Sequence, residues 1–240
     1  NQLVYQLAKP CQIKDPSWIE PGWMILDWWA RRNVFGVDFK AGFNTETAQY
    51  FIDFCADYGV KYFLFDDGWS NREDLLDVNP AINMEQVTAY AKEKGVGIVL
   101  WCIWKTLDRQ YEEALDQFAE WGIEGIKIDF MNRDDQKMVN YYNKMAQETA
   151  KRKMVIDFHG AYKPAGLRRM YPNVLTREGF IEFEYNGWKD DANPPHHTLL
   201  PFIRGVAGPM DYIPGTLNNA TRKNYRPVGA RPSGSFETPA

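Results

Sequence analysis

Residues 122–131 constrain the fold of this chain more than any other stretch, because they have the pattern of a buried strand that ends in a carboxylate. Apolar residues alternate with Lys127 and Asp129 at the two-residue period of a strand, and glycines punctuate the turn before it. A helix-like segment follows. A strand, a carboxylate and then a helix is how a (β/α) barrel presents a catalytic acid at its C-terminal rim. Asp129 is therefore a catalytic candidate. The alternative is a helix cap, but Asp134 and Asp135 already stand at that helix start.

Strand-like and helix-like segments alternate along most of the sequence. Strands are predicted at 22–29, 61–69, 96–104, 122–131, 154–160 and 174–178, with a seventh candidate at 206–210 and no eighth. Helices are predicted at 45–58, 84–94, 108–121, 134–152, 164–170 and 197–204. This alternation is typical of βαβ units and a parallel sheet.

Acidic, histidine and tryptophan side chains collect where the predicted strands end, and the opposite turns carry little of note. That asymmetry favours an α/β fold of the TIM-type (β/α)8 barrel class, with its site on one face. A doubly wound open sheet is the alternative, but its GxGxxG phosphate loop is absent after the first strand. We predict a proline-bearing lead-in loop over 1–21 and a barrel domain over 22–240. The barrel is predicted to be incomplete at its C-terminal end, where the last strand and helix are missing.

Composition narrows the class of protein further. The chain has 240 residues, of which 45% are hydrophobic, so it can bury a sizeable core. Its net charge is -4 without a long run of one sign, which predicts neither a nucleic-acid nor a membrane partner. The three cysteines are scattered, so neither a disulfide framework nor a zinc cluster is indicated. The chain begins without an initiator methionine or a signal peptide, which predicts an excised or processed piece.

Several carboxylates stand at or just beyond the predicted strand ends: Asp27, Asp66, Asp67, Asp129, Asp157, Glu178, Glu182 and Glu184. Asp129 and Glu184 are candidates to face each other across a barrel mouth, as the carboxyl pair of a glycosidase does. The cluster of Glu178, Glu182 and Glu184 is suited to a hard cation such as calcium, with a solvated acidic loop as the alternative.

The histidines and aromatic residues give weaker signals. His159 follows a predicted strand and is a candidate to hydrogen-bond a sugar hydroxyl, although a structural role is nearly as well supported. Neither HExxH nor HxH spacing occurs, so a zinc site is weakly indicated. Aromatic residues make up 15% of the chain, and they are useful for stacking on sugar rings as well as for packing.

Several motifs together resemble the catalytic barrel of glycoside hydrolase family 97, and the resemblance covers nearly the whole chain. These motifs are GVDFK at 36–40, DGW at 67–69, GIKIDFM at 125–131, DDQ at 134–136, DFHGA at 157–161, YPN at 171–173, TREG at 176–179 and GPMDY at 208–212.

The resemblance implies a retaining, exo-acting α-glycoside hydrolase of the family's α-galactosidase branch. The inverting branch carries a glutamate where this chain has Gly160, whereas the retaining branch carries a nucleophilic aspartate where it has Asp129. Glu184 matches the general acid/base, and Glu178 and Glu184 match positions of a calcium site that assists catalysis. The candidates for binding the sugar are Lys127, His159, Asp66, Asp67 and Trp104.

The resemblance also carries expectations about partners. They are an oligosaccharide or α-galactoside substrate, and an N-terminal β-sandwich and a C-terminal β-domain of the same natural chain, with part of the calcium site supplied by the sandwich. A bacterial periplasmic or secreted location is implied. The chain departs from the family pattern at Asp67, Glu182 and Thr198, which bears on substrate preference and calcium geometry.

Two rival hypotheses remain open at this point. One is a non-catalytic carbohydrate-binding or inactive barrel fragment. The other is a metal-dependent barrel hydrolase that uses His159 and the neighbouring acids.

Overall fold

A curled sheet of parallel strands, with helices packed on its outer face, forms the framework of the molecule. The structure is a computed structural model that describes residues 6–28, 32–187, 193–214, 219–221, 223–224 and 235–236. The strands are β1 (Met24–Leu26), β2 (Tyr62–Phe65), β3 (Ser70–Asn71), β4 (Asp74–Val78), β5 (Gly97–Ile103), β6 (Gly125–Asp129), β7 (Val155–Phe158), β8 (Val174–Arg177), β9 (Asn219–Ala220) and β10 (Ser235–Phe236). The α-helices are α1 (Thr45–Tyr58), α2 (Met84–Lys94), α3 (Trp104–Trp121), α4 (Gln136–Lys151), α5 (Leu167–Met170) and α6 (Pro194–Ile203).

The main sheet has the order β1-β2-β5-β6-β7-β8, and every neighbouring pair in it is parallel. A helix follows each of its first five strands, so the carboxyl ends of the strands share one edge. This confirms the predicted α/β class and matches an incomplete (β/α)8 barrel. Short 3₁₀ turns at Phe183–Gly187 and Gly205–Ala207 flank α6. None of the described helices is long and apolar enough to cross a membrane.

The helix boundaries follow local capping chemistry. The side chain of Asn44 accepts the N–H of Thr47 at the start of α1, and Asn83 does the same for Gln86 at the start of α2. Gly59 ends α1 at φ 68°, a left-handed conformation that favours glycine. These signals are readable in the sequence, and both helices have the predicted bounds.

Strand residues alternate between two cores. Even-numbered positions such as Ile98 and Leu100 of β5 face the helices in the larger core, while Val99 and Trp101 face the inside of the curl. Leu64, Val99, Gly125 and Val155 are aligned by the register across four strands, and form an apolar row inside the curl.

One row nearer the carboxyl ends, the inside of the curl becomes polar. The register aligns Trp101 with Lys127 and Lys127 with Asp157, and Asp157 lies beside Thr176. The apolar row therefore forms the floor on which a polar site is built.

The seventh predicted strand is wrong. Residues 206–210 do not join the sheet: the chain forms the 3₁₀ turn Gly205–Ala207 and then runs irregularly. The guanidinium of Arg204 donates to the carbonyls of Gly208 and Pro209, and also to that of Glu178. These backbone acceptors are thus satisfied by a side chain and need no strand neighbour.

Several boundaries also differ from prediction: β1 is only Met24–Leu26, α5 begins at Leu167 rather than at 164, and α6 spans Pro194–Ile203 rather than 197–204. The segment with Asp74 and Asp77, where neither a strand nor a helix was predicted, contains the antiparallel hairpin of β3 and β4. Helix α3 begins at Trp104 rather than at Asp108, and Gln110 within it has a non-helical φ of -133°. The chain therefore passes from β5 into α3 with no intervening loop.

Replacing Gly125 by alanine should destabilise the sheet, because the added Cβ would lie 2.6 Å from Val155 Cγ2 and 3.0 Å from the Val155 carbonyl oxygen. We expect Gly125→Ala to lower the free energy of unfolding by about 1–3 kcal/mol, measured by urea denaturation. Gly205→Ala is the matched control, since its Cβ would come no nearer than 3.6 Å to another group. Equal stability of the two variants would contradict the packing argument.

Candidate active site

A cleft of about 550 Å³ opens where the carboxyl ends of the parallel strands meet. A pocket of this size suits a small ligand. The residues lining it are Trp28, Asp66, Asp67, Arg72, Trp101, Lys127, Asp129, Phe130, Asn132, His159, Gly160, Glu178, Glu184 and Tyr185.

Asp129, the last residue of β6, presents its carboxylate to the cleft with both oxygens hydrogen-bonded. The indole N–H of Trp101 donates to Oδ2 at 2.9 Å, and the backbone N–H of Phe130 donates to Oδ1 at 2.6 Å. Phe130 has φ 63°, a conformation that is uncommon outside glycine. The left-handed turn ends the strand and aims the backbone N–H back at the carboxylate.

Glu184 reaches the same cleft from the 3₁₀ turn Phe183–Gly187, which follows β8. Its Oε1 accepts the indole N–H of Trp28 at 2.8 Å. Trp28 lies just beyond β1, at the other edge of the sheet. This hydrogen bond therefore links the two edges of the curled sheet across the cleft.

A buried ion pair lies at the base of the cleft. Lys127 Nζ is 3.0 Å from Asp66 Oδ2, and both side chains are only 6% exposed. Burial opposes the charged form of Lys127, but the charges of Asp66 and of further aspartates outweigh it and raise the pKa of the ammonium. Lys127 is thus a fixed cation among acids.

Asp66 is in turn positioned by Asp27, which pairs with Arg32. Asp27 Oδ1 accepts the backbone N–H of Asp66 at 2.9 Å, and Asp27 Oδ2 accepts from Arg32 Nε at 2.9 Å. Burial raises the pKa of Asp27 to about 6, against the opposing charge of Arg32. Asp27 therefore orients Asp66 and does not itself line the cleft.

His159 lies between two aspartates at the end of β7. Its Nε2 is hydrogen-bonded to Asp211 Oδ2 and is 3.4 Å from Asp157 Oδ2. Burial raises the pKa of Asp157, and the neighbouring charge of Asp211 adds to that shift. His159 opposes the effect of burial on Asp211 and lowers its pKa to about 2. Asp211 was not among the sequence candidates, although it directly follows the segment 206–210 that was predicted as a strand.

These three residues also offer ligand atoms within 4.8 Å of one another, as a metal site would. The nearby Lys127 ammonium acts electrostatically on His159 and Asp157, and repels a cation from the same space. The imidazole nitrogen that would bind a metal is already hydrogen-bonded to Asp211. The cluster is better suited to orienting His159 than to holding a metal.

A second acidic cluster, formed by Glu178, Glu182 and Glu184, lies beyond β8. Glu178 Oε2 accepts the backbone N–H of Gly160 at 2.6 Å, and burial raises the pKa of Glu178. Glu182 is fully buried: its Oε2 accepts the N–H of Ile213, while its Oε1 has no partner among the described residues. Burial raises the pKa of Glu182, and the Glu178 and Glu184 charges add to that shift. Among the described residues, only Asp157, His159 and Asp211 bring three ligand atoms within 4.8 Å of one another, so the three glutamates do not form a complete cation site by themselves.

Asp67 lies at the rim, where Arg72 of the β3–β4 hairpin binds both oxygens of its carboxylate. The backbone carbonyl of Arg72 accepts the hydroxyl of Thr106 at 2.6 Å, which ties the hairpin to α3. Arg72 was not a sequence candidate, because no strand was predicted in the hairpin that carries it.

The structure brings most of the predicted site residues into this one cleft: Asp66, Asp67, Lys127, Asp129, His159, Glu178 and Glu184. Trp104 is not among the residues that line it. As the first residue of α3, Trp104 lines a separate cavity of about 290 Å³ and packs edge-on against Tyr141. The cleft receives Trp101 instead, which the two-residue alternation of β5 places on the same inner face as Val99.

A barrel-type sheet whose carboxyl ends surround an acidic cleft lined by tryptophan is an arrangement found in barrel glycoside hydrolases. The comparisons with known proteins agree. The chain belongs to glycoside hydrolase family 97, since the family model Glycoside hydrolase 97 matches residues 28–180.

Two curated relatives can be aligned with most of this chain. A retaining alpha-galactosidase of Bacteroides thetaiotaomicron is 41% identical over 236 residues, covering 97% of this chain and 36% of that protein. A probable retaining alpha-galactosidase of Streptomyces bingchenggensis is 33% identical over 226 residues, covering 91% of this chain and 34% of that protein. The chain thus spans about a third of the length of these relatives.

A solved structure shows the same architecture. A glycoside hydrolase family 97 enzyme from Pseudoalteromonas sp. strain K8, in complex with panose, has a TM-score of 0.80 and 28% sequence identity. The match covers 91% of this chain and 38% of that one.

Removing the buried cation should cost far more stability than removing a surface one. We expect Lys127→Met to lower the free energy of unfolding by about 3–5 kcal/mol, because it leaves Asp66 buried without its partner. Adding Asp66→Asn should recover part of that loss in a double-mutant cycle. The control is Lys144→Met, whose half-exposed pair with Asp108 should contribute less than about 1 kcal/mol. Equal losses for the two lysines, by urea denaturation, would contradict the burial argument.

Proposed function

We propose that the protein is a retaining, exo-acting α-glycoside hydrolase whose substrates are α-galactosides. The observation that carries the proposal is the placement of Asp129 and Glu184 in one cleft, each oriented by an indole N–H. The names of the two curated relatives support galactose as the sugar.

In the first step, Asp129 attacks the anomeric carbon of the bound sugar. One oxygen of its carboxylate forms the new bond, and the glycosidic bond breaks while Glu184 donates a proton to the leaving oxygen. The product of this step is a covalent glycosyl-enzyme.

In the second step, water replaces Asp129 at the same carbon. Glu184, now ionised, takes a proton from the water as its oxygen attacks, and the ester bond to Asp129 breaks. Two inversions leave the configuration of the sugar unchanged.

The hydroxyl groups of the sugar would be held by charged side chains that are already fixed. Lys127 and Asp66 are paired at the base, Asp67 is paired with Arg72 at the rim, and His159 is oriented from below by Asp211. Such preorganisation lowers the cost of ordering the site when substrate binds. The aromatic side chains that line the cleft and could stack on the sugar are Trp28, Trp101, Phe130 and Tyr185, so Trp104 is not part of this proposed set.

A calcium ion would be held by Glu178 and Glu184, which both line the cleft. Calcium binds six to eight oxygens, so these side chains supply only part of its shell. When bound, it would supply positive charge near the leaving oxygen. Glu178 is otherwise anchored by Gly160 N–H, which keeps its carboxylate at the cleft wall.

Asp129→Asn should lower kcat by more than about 1000-fold while the fold, followed by circular dichroism, is retained. With azide, Asp129→Gly should convert an aryl α-galactoside to the β-galactosyl azide, because the small anion attacks from the face that the carboxylate occupied. NMR of the parent reaction should show the α-anomer of galactose first.

Asp134→Asn is the matched control, since this aspartate lies in the same loop but does not line the cleft. It should keep parental activity. A fully active Asp129→Ala variant would overturn the nucleophile assignment. A folded parent without any turnover would favour the rival hypothesis of a carbohydrate-binding barrel.

A calcium-selective chelator should reduce the activity, and added calcium should restore it. Glu178→Gln should raise the calcium concentration needed for half-maximal activity and weaken calcium binding measured by calorimetry. Glu73→Gln, on the exposed hairpin, should change neither quantity. Unchanged activity in the calcium-selective chelator, with loss in a zinc chelator, would instead support a metal-dependent hydrolase that uses His159.

A further inference from the structure

The two proposed catalytic carboxylates share a feature that the sequence did not suggest, namely one indole N–H donated to each. Trp101 Nε1 lies 2.9 Å from Asp129 Oδ2, and Trp28 Nε1 lies 2.8 Å from Glu184 Oε1. An indole nitrogen can donate a hydrogen bond but cannot accept a proton. Neither tryptophan can therefore replace a carboxylate in the chemistry, but each can fix where a carboxylate points.

The donor on Asp129 is held rigidly. Trp101 is 4% exposed, and its backbone carbonyl accepts the indole N–H of Trp69 at 2.8 Å. Its ring meets the ring of Phe130 edge-on, with centroids 5.6 Å apart. Since the backbone N–H of Phe130 occupies Oδ1, both oxygens of Asp129 have a fixed donor.

The donor on Glu184 comes from a different part of the fold. Trp28 follows β1, while Glu184 lies in the 3₁₀ turn beyond β8, 156 residues away in the sequence. A short turn constrains a side chain less than a strand in the middle of a sheet. The orientation of Glu184 thus depends on a contact across the cleft. Because Trp28 engages Oε1, the other oxygen, Oε2, is left to carry the proton.

We propose that Trp101 and Trp28 are positioning residues with separate tasks, Trp101 acting through Asp129 on nucleophilic attack and Trp28 acting through Glu184 on protonation of the leaving oxygen. The proposal rests on the proposed function of this cleft. In the step concerned, an electron pair of Asp129 forms the bond to the anomeric carbon. The leaving oxygen departs with the electron pair of the glycosidic bond and takes its proton from Glu184.

The two tasks differ in how they depend on the leaving group. A misplaced nucleophile slows attack on every substrate, whereas a misplaced acid slows only those whose leaving group needs a proton. The experiment compares kcat/KM for a series of aryl α-galactosides, from dinitrophenyl to unsubstituted phenyl, because this quantity reports formation of the glycosyl-enzyme.

Trp101→Phe should lower kcat/KM by about 10- to 100-fold for all members of the series, leaving the dependence on leaving-group pKa unchanged. Trp28→Phe should change the dinitrophenyl rate little and lower the phenyl rate by about 10- to 100-fold, so that the dependence becomes steeper. Trp121→Phe, at the far end of α3, is the matched control and should reproduce the parent throughout.

If Trp101→Phe does not fold, position 101 can carry benzothienylalanine, which keeps the bicyclic shape and replaces the N–H by sulfur. The same uniform loss is expected. Parental rates in both variants, or the same leaving-group dependence in both, would overturn the division of tasks while the parent's turnover leaves the proposed function intact. A folded parent that hydrolyses none of the series would overturn the proposed function and the positioning roles with it.

Discussion

The site depends on one buried cation. Lys127 is 5% exposed, forms an ion pair with Asp66, and has its pKa raised by Asp66, Asp129, Asp157 and Asp211. Without it, the inside of the curl would bring several carboxylates together with little positive charge to offset their repulsion. The attraction of the aspartates offsets the free-energy cost of burying the Lys127 ammonium, and the ammonium in turn reduces the repulsion among the carboxylates.

Parallel pairing explains why these charges meet at all. Each strand supplies its polar residues at the same end, and the register sets Trp101, Lys127 and Asp157 side by side. Below them, the apolar row that includes Val99 and Gly125 excludes water. The same geometry thus produces a dry floor and a polar edge, which strengthens the electrostatic interactions above it.

Features set by neighbouring residues, such as helix caps and strand-end carboxylates, were predictable from the sequence. Contacts between residues far apart in the chain were not. The bounds of α1 and α2 follow from caps a few residues away, and Asp129 follows from one strand pattern. Asp211 is different: it reaches His159 only because Arg204 and Arg177 hold its segment at the end of β8. Its position after the predicted strand 206–210 marks it as a carboxylate near the site, but the sequence does not indicate that His159 is its partner.

Trp101 and Trp104, three residues apart, are a second case in which the sequence did not predict the contacts of a side chain. Both stand near the end of an apolar run, where sequence alone could not fix the point at which strand gives way to helix. The helix begins at Trp104 and turns its ring toward Tyr141, whereas strand alternation keeps Trp101 inside the curl against Asp129. The proposed nucleophile is therefore held wholly by neighbouring strands and its own turn. Glu184, on a turn beyond the sheet, instead depends on Trp28 from the opposite edge, so the two carboxylates differ in how firmly the fold fixes them.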